Sequence, residues 1–512
     1  VAPVSAPSQV HPARRRLAAY GATVFLAAAL TMVLEIAAGR LVAPYVGSSL
    51  YTWTAIIGVV LAGLSVGNWL GGRWADRGAG PAAAGVALGA AAVASLAILL
   101  SLELLGPLVR TSAMGPLGGT LVLVGGLFLL PAVLLGILTP LLTTLALGLD
   151  ERTGHVVGRM HALGALGSIA GTFLAGYWLI PAMGVHGVIL TTALVLAALA
   201  APFLISAWRR GAALAALFAL VSGLAWQQQV LVSPCDEESA YFCIRVENAT
   251  RDVPFGEARA LVLDHLLHSI NHRQEPALLA SPYLHLMDEV ARQWPGMEPE
   301  SADWFFAGGG AYTHPRALNA LDPGASVTVA EVDPAVTRMA EEALFVETEG
   351  WRVLHRDARL ALARLEGERF DVVVGDVFHD VAVPAHLVTR EFAELVRERL
   401  RPGGLYTLNI VDRHPEPRLV ASLLRTLEGV FGHVDVWHQG LPSDGDPARV
   451  TYVLTASDTP PPASPLRARH GLPRQWERVT GRVEGAVADP LVLTDSHSPV
   501  ASLLAPLLLR GG

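Results

Sequence analysis

Six apolar stretches in the first half of the chain are each long enough to cross about 30 Å of hydrocarbon, and this constrains its fold more than any other feature. They cover residues 17–38, 51–69, 82–105, 117–147, 157–180 and 185–205, and a shorter seventh covers 212–226. Backbone polar groups in lipid must be satisfied within the chain, so runs of this length predict helices. A cleaved signal peptide accounts for one such run and not for six. The expectation is a polytopic α-helical membrane bundle of about seven helices, with the lipid bilayer as its first partner. Gly63, Gly67 and Gly71 recur four residues apart, which puts small residues on one helix face where a neighbour can come close.

Arginines predict which way the bundle faces. Arg14, Arg15 and Arg16 precede the first run, Arg73 and Arg77 follow the second, Arg152 and Arg159 lie between the fourth and fifth, and Arg209 and Arg210 follow the sixth. The alternate loops hold mainly Arg40 and Arg110. Positive loops stay in the cytoplasm, so the N-terminus is expected there. Seven crossings of the cell inner membrane then put the C-terminal half on the extracytoplasmic side, whereas six crossings with the short seventh run lying along the interface would leave it inside. The loop Gly71-Gly72-Arg73-Trp74-Ala75-Asp76-Arg77-Gly78 resembles the short cytoplasmic loop of major facilitator transporters, which agrees with this orientation. Glu35 is costly in lipid and must face protein, water or a cation.

Charged residues become frequent only from Asp236 onward, and the whole chain carries a formal charge of -8 without a basic stripe, which argues against a nucleic-acid partner. Cys235 and Cys243 are the only cysteines; their spacing suits one small disulfide-closed loop or two free thiols. Residues 241–246 and 258–264 alternate as strands do, and 282–294 carry helical spacing. A buried strand at 304–307 then runs into Gly308-Gly309-Gly310, and a second strand at 326–330 ends in Glu331. Glycines let the backbone turn closely around a cofactor, and an acid after the second strand can accept two ribose hydroxyls. Gly308, Gly310 and Glu331 are therefore cofactor-binding candidates. Further strands are expected at 352–354, 370–374, 405–410, 434–439 and 449–454, two of them leading to Asp357-Ala358 and Asp376. The expected organisation is a tail (1–16), a transmembrane domain (17–229), a small β-rich entry region and linker (230–295), and a Rossmann-like α/β domain (296–512). No ligand spacing in the sequence suggests a metal site or a tightly bound cofactor.

Taken in order, these motifs resemble the spermidine synthase family of polyamine aminopropyltransferases, in its membrane-fused bacterial branch. The resemblance covers about residues 241–500. It rests on Val262-Leu263-Asp264-His265-Leu266-Leu267-His268, the glycine loop, Glu331, Asp357-Ala358, Asp376, and Thr494-Asp495 with Pro499-Val500. It implies a methyltransferase/spermidine synthase fold, a role in polyamine biosynthesis, and transfer of an aminopropyl group from decarboxylated S-adenosylmethionine to an amine. On this basis Asp376 and Asp380 are the catalytic acids, and His268, Gly308, Gly310, Glu331, Asp357 and Ala358 hold the co-substrate. Asp264, Tyr283, His285 and Asp495 then bind the acceptor, a polyamine or an amine-bearing small molecule or lipid; a homo-oligomer is compatible with this reading. Three positions depart from the family: His265 stands for a glycine, His268 for a glutamine, and Asp380 lies one place later than the family's second acid. The alternatives are methyl transfer from ordinary S-adenosylmethionine, and a non-catalytic transporter or sensor that binds a polyamine or nucleoside.

Overall fold

The computed structural model describes residues 10–47, 49–111, 116–378, 383–443 and 448–505. It divides into two compact units, Val1–Pro234 and Cys235–Gly512.

Every apolar run of the first unit is helical. The helices are α1 (Val10–Val46), α2 (Leu50–Asp76), α3 (Pro81–Thr111), α4 (Pro116–Gly136), α5 (Leu138–Leu147), α6 (Thr153–Leu174), α7 (Ile180–Leu204) and α8 (Trp208–Gln227). Pro140 has no N–H for the carbonyl of Gly136, and the helix is interrupted there, between α4 and α5. Near the end of the fifth run the chain passes through a π-helical turn at Ala175–Leu179, and before the sixth it breaks at Gly184, whose φ of 67° suits a residue without a Cβ. Among the described residues, five helical stretches are long and apolar enough to cross a membrane, and the last of them, Thr153–Gln227, contains three of the expected runs.

Glycines set the closest helix approaches. A Cβ at Gly67 would lie 2.2 Å from the carbonyl oxygen of Val133 on α4, and one at Gly71 would lie 2.4 Å from that of Ile137. On α6, Gly167 and Gly171 meet the α1 carbonyls of Phe25 and Ala29 in the same way, at 2.1 and 2.2 Å. The outer surface is apolar: Leu61, Leu166, Phe173 and Leu220 are each more than half exposed.

The second unit begins with an antiparallel sheet of β1 (Glu237–Glu238), β2 (Cys243–Asn248), β3 (Ala258–Leu263) and β4 (Leu266–His272), in that order. Helix α9 (Pro282–Arg292) leads into the main sheet. Its strands are β5 (Asp303–Ala307), β6 (Ser326–Ala330), β7 (Arg352–Leu354), β8 (Phe370–Gly375), β9 (Leu400–His414), β10 (His433–His438), β11 (Ala448–Ser457), β12 (Leu466–Arg467) and β13 (Gln475–Arg478). They are ordered β12-β13-β10-β11-β9-β8-β5-β6-β7. Strands β9, β8, β5, β6 and β7 are parallel, and β11 joins β9 antiparallel. Helices α10 (Thr313–Leu321), α11 (Pro334–Ala343), α12 (Ala358–Arg364) and α13 (Arg390–Arg399) make the crossovers, and α14 (Arg418–Glu428) follows β9. The apolar spacing of residues 385–400 fits one crossover helix. A 3-10 turn at Ala385–Leu387 precedes α13 instead, with Thr389 capping the nitrogen of Phe392.

Strand order reverses at β5, which has β6 on one side and β8 on the other. In a doubly wound sheet, ligands bind at the carboxyl ends of the strands at such a reversal. Trp304, Phe305 and Phe306 are fully buried and anchor β5 in the core on both faces.

Candidate active site

Gly308 leaves β5 with a φ of 92°, and a Cβ there would lie 2.2 Å from the carbonyl oxygen of Asp376. The nitrogen of Asp376 in turn donates to Ala307 O at 2.9 Å, so the glycine loop and the end of β8 are locked together. Gly310 also has positive φ, 50°. Glu331, at the end of β6, accepts from the nitrogens of Gly309 and Asp333, both at 2.9 Å. Burial raises the Glu331 pKa, and these backbone donors pull the other way. Asp357 caps α12 through Leu360 N at 3.0 Å, and its other oxygen lies 2.7 Å from His386 Nε2.

These ends converge on a cleft of about 350 Å³. His268, Gly308, Gly310, Glu331, Asp357, Ala358 and Asp376 all line it. Asp376 keeps partial access to the cleft yet is walled in by protein, and burial pushes its pKa up to about 7 against a hydrogen bond from Asn409. Burial pushes His268 down to about 4, so near neutral pH its ring carries no charge that would repel a cationic ligand. Tyr283 donates its hydroxyl to His268 O at 3.0 Å, and burial next to Asp376 keeps that hydroxyl protonated.

Other expected residues lie elsewhere. Asp264 occupies the β3–β4 turn with φ 53°, where Oδ1 accepts from Cys243 N at 3.0 Å. His285 is buried, with Nε2 2.9 Å from His470 O and Nδ1 3.2 Å from an Arg474 nitrogen. Asp495 forms a two-pronged pair with Arg359 at 2.7 and 2.6 Å, and that hydrogen bonding holds its pKa down at about 2. Asp264, Tyr283, His285 and Asp495 do not line the cleft, and Tyr283 is tied to it through His268. Asp380 lies outside the described residues.

The sequence reading did not anticipate several cleft residues. Phe378, Pro384 and Leu387 come from the segment after β8. Tyr241 and Phe242 come from the β1–β2 turn, whose ends are joined by the Cys235–Cys243 disulfide. Ser239 ties that turn to Asp333, two residues beyond Glu331.

No family model matches the chain. Over 152 residues it is 33% identical to a polyamine aminopropyltransferase of Vibrio vulnificus (strain CMCP6), which is 29% of this chain and 48% of that protein. It is 28% identical over 146 residues to a probable polyamine aminopropyl transferase of Bifidobacterium longum (strain NCC 2705), 28% of this chain and 32% of that protein. The chain thus spans between a third and a half of the curated relatives it matches. Among solved structures, a probable spermidine synthase from Corynebacterium glutamicum ATCC 13032 aligns with 23% identity and a TM-score of 0.45, over 52% of this chain and 99% of that one. Spermidine synthase from Thermotoga maritima aligns with 17% identity and a TM-score of 0.32, over 43% and 70%. In its C-terminal part this chain is thus similar to polyamine aminopropyltransferases.

Proposed function

We propose that the C-terminal unit transfers an aminopropyl-type chain from a sulfonium nucleoside of the S-adenosylmethionine type to an amine, releasing methylthioadenosine. The observation that carries this is the meeting of Glu331, Asp357 and Asp376 around one cleft at the β5 reversal. Glu331 is placed to take the ribose hydroxyls and Asp357 the nucleoside's outer edge. Asp376 remains to face the reacting carbon. A neutral amine must attack the carbon beside the sulfonium and then lose a proton, and a carboxylate whose pKa is near 7 is matched to receiving it. Decarboxylated and ordinary S-adenosylmethionine both present this nucleoside and this electrophilic carbon. The names of the curated relatives support the reaction class.

Purified full-length protein, given either donor and a panel of polyamines and aminolipids, is expected to release methylthioadenosine only when an amine is present. Absence of release across the panel, with nucleoside binding intact, would overturn the transfer reading. Glu331→Ala should weaken methylthioadenosine binding by at least about a hundredfold, since two charge-assisted hydrogen bonds are worth roughly 1.5–3 kcal/mol each. Calorimetry checks this, and an unchanged affinity would remove Glu331 from the nucleoside site.

We further propose that the N-terminal unit crosses the inner membrane seven times from a cytoplasmic N-terminus, with the transferase unit on the extracytoplasmic face. Arginine placement, the apolar outer surface of the bundle and the Cys235–Cys243 bond all support this reading. The sulfonium donor must then reach that face. A tag placed after Gly512 should be cleaved by protease in intact spheroplasts while a cytosolic reporter stays protected. Protection of both the tag and the reporter would reverse the assignment.

A further inference from the structure

Sharing lining residues with the cleft is a second cavity of about 20 Å³, room for about one water-sized polar group. His268, Gly308, Gly310 and Asp376 line both spaces, while Ser269, Thr313 and His314 line the small one. Ser269, Thr313 and His314 are each more than nine-tenths buried. Ser269 Oγ, Thr313 Oγ1 and His314 Nδ1 have no hydrogen-bond partner in the protein, while His314 Nε2 faces Asp288 Oδ1. Buried polar atoms are nearly always satisfied, so such a cluster around one cavity points to a polar group that completes it.

The charge of that group follows from its surroundings. Thr313 is the first residue of α10, whose N-cap residue Tyr312 makes no side-chain capping bond and hydrogen-bonds Thr337 through its hydroxyl at 2.7 Å. Uncapped N–H groups and the positive end of a nine-residue helix favour an anion. His314 lies 3.4 Å from Asp288, but that carboxylate is neutralised by Arg292 at 2.7 Å. The small cavity therefore offers hydroxyls, imidazole and helix N–H groups on one side, and on the other a single carboxylate, Asp376. A zwitterionic amino acid end, with its carboxylate towards α10 and its ammonium towards Asp376, matches both sides. A bare ammonium matches only one.

We propose that this cavity is a carboxylate subsite, so that the donor is S-adenosylmethionine itself and the chain transferred is the 3-amino-3-carboxypropyl group. The inference rests on the transfer reading above and specifies its donor. The acceptor nitrogen uses its lone pair to bond the chain carbon next to sulfur. The carbon–sulfur electrons return to sulfur, neutral methylthioadenosine leaves, and the proton on the new ammonium passes to Asp376. No oxidant or further co-reactant is needed.

Calorimetry on the purified full chain with three probes tests the subsite. S-adenosylhomocysteine should bind about tenfold or more tighter than its decarboxylated analogue. Thr313→Val and, separately, Ser269→Ala should each weaken S-adenosylhomocysteine by about fivefold or more, with methylthioadenosine kept within about twofold as proof of an intact cleft. In turnover, carboxyl-labelled S-adenosylmethionine should pass its label to the amine product. Equal or tighter binding of the decarboxylated analogue overturns the proposal, as does methyl label appearing on the acceptor. If methylthioadenosine fails to bind the unmodified protein, the donor cleft itself falls and the subsite with it.

Discussion

Asp376→Asn is expected to lower the transfer rate by about a thousandfold, within the range that a positioned general base contributes, while methylthioadenosine binding changes little. The amide is nearly isosteric with the carboxylate but cannot accept the proton that the new ammonium must lose. The same carboxyl shapes the pH profile of the unmodified protein. Only its ionised form is a base, so it should add a rise in rate with pH centred near 7, below the further rise expected as the amine acceptor loses its own proton. The sign for stability is opposite. Burial raises the folded-state pKa from 3.8 to about 7, so folded protein holds this proton over a range where the unfolded chain has released it. Asp376 therefore costs no stability below about pH 4, costs progressively more as pH rises to about 7, and costs a constant amount above that. Asp376→Asn should accordingly melt higher than the unmodified protein at pH 8 and at nearly the same temperature at pH 4. A variant that keeps its activity would sink the base assignment. One that melts lower at pH 8 would show that Asp376 is not held in a desolvated place.

The donor side of this site was readable from sequence because a doubly wound sheet writes it in local signals. A buried strand followed by Gly308-Gly309-Gly310, and another ended by Glu331, need only short-range pattern to be recognised. Asp357 and Asp376 likewise sit directly after strands β7 and β8. The rest of the cleft is tertiary. Tyr241 and Phe242 reach it from a turn more than sixty residues before the glycine loop, and nothing in their neighbours announces a ligand. Asp495 shows the reverse case. Its partner Arg359 lies 136 residues earlier, and only the folded chain reveals that this carboxylate is already paired. Asp264 is engaged in its own turn for a similar reason, through a bond to Cys243 that spans 21 residues.

In the first unit, run length made the helices legible, because a bilayer imposes a length that few other environments require. The break at Gly184 fell in the gap between two apolar runs. What sequence could not supply was the partner of each glycine face. Spacing puts Gly63, Gly67 and Gly71 together, but only the structure assigns Gly63 and Gly67 to α4 and Gly71 to Ile137 and Pro140 at the start of α5.

That assignment makes Gly67→Leu the most disruptive change expected in the bundle. Association inside a bilayer gains little from the hydrophobic effect, so it depends on close packing of small residues. At Gly67 the atoms in the way are the carbonyl oxygen of Val133 at 2.2 Å and the Cα of Gly136 at 2.8 Å, both backbone, and neither can rotate aside. Helices α2 and α4 would have to separate along the whole seam, at a cost of about 3 kcal/mol or more for overpacking. Gly58 lies on the same helix, and a methyl group added there would have nothing within 4 Å, so Gly58→Ala should be neutral or slightly stabilising. The pair separates seam packing from any general effect of losing a glycine in α2. Thermal unfolding in detergent, followed by tryptophan fluorescence, should show Gly67→Leu melting well below the unmodified protein and Gly58→Ala melting with it. Equal melting of both variants would mean that α2 does not meet α4 through this face.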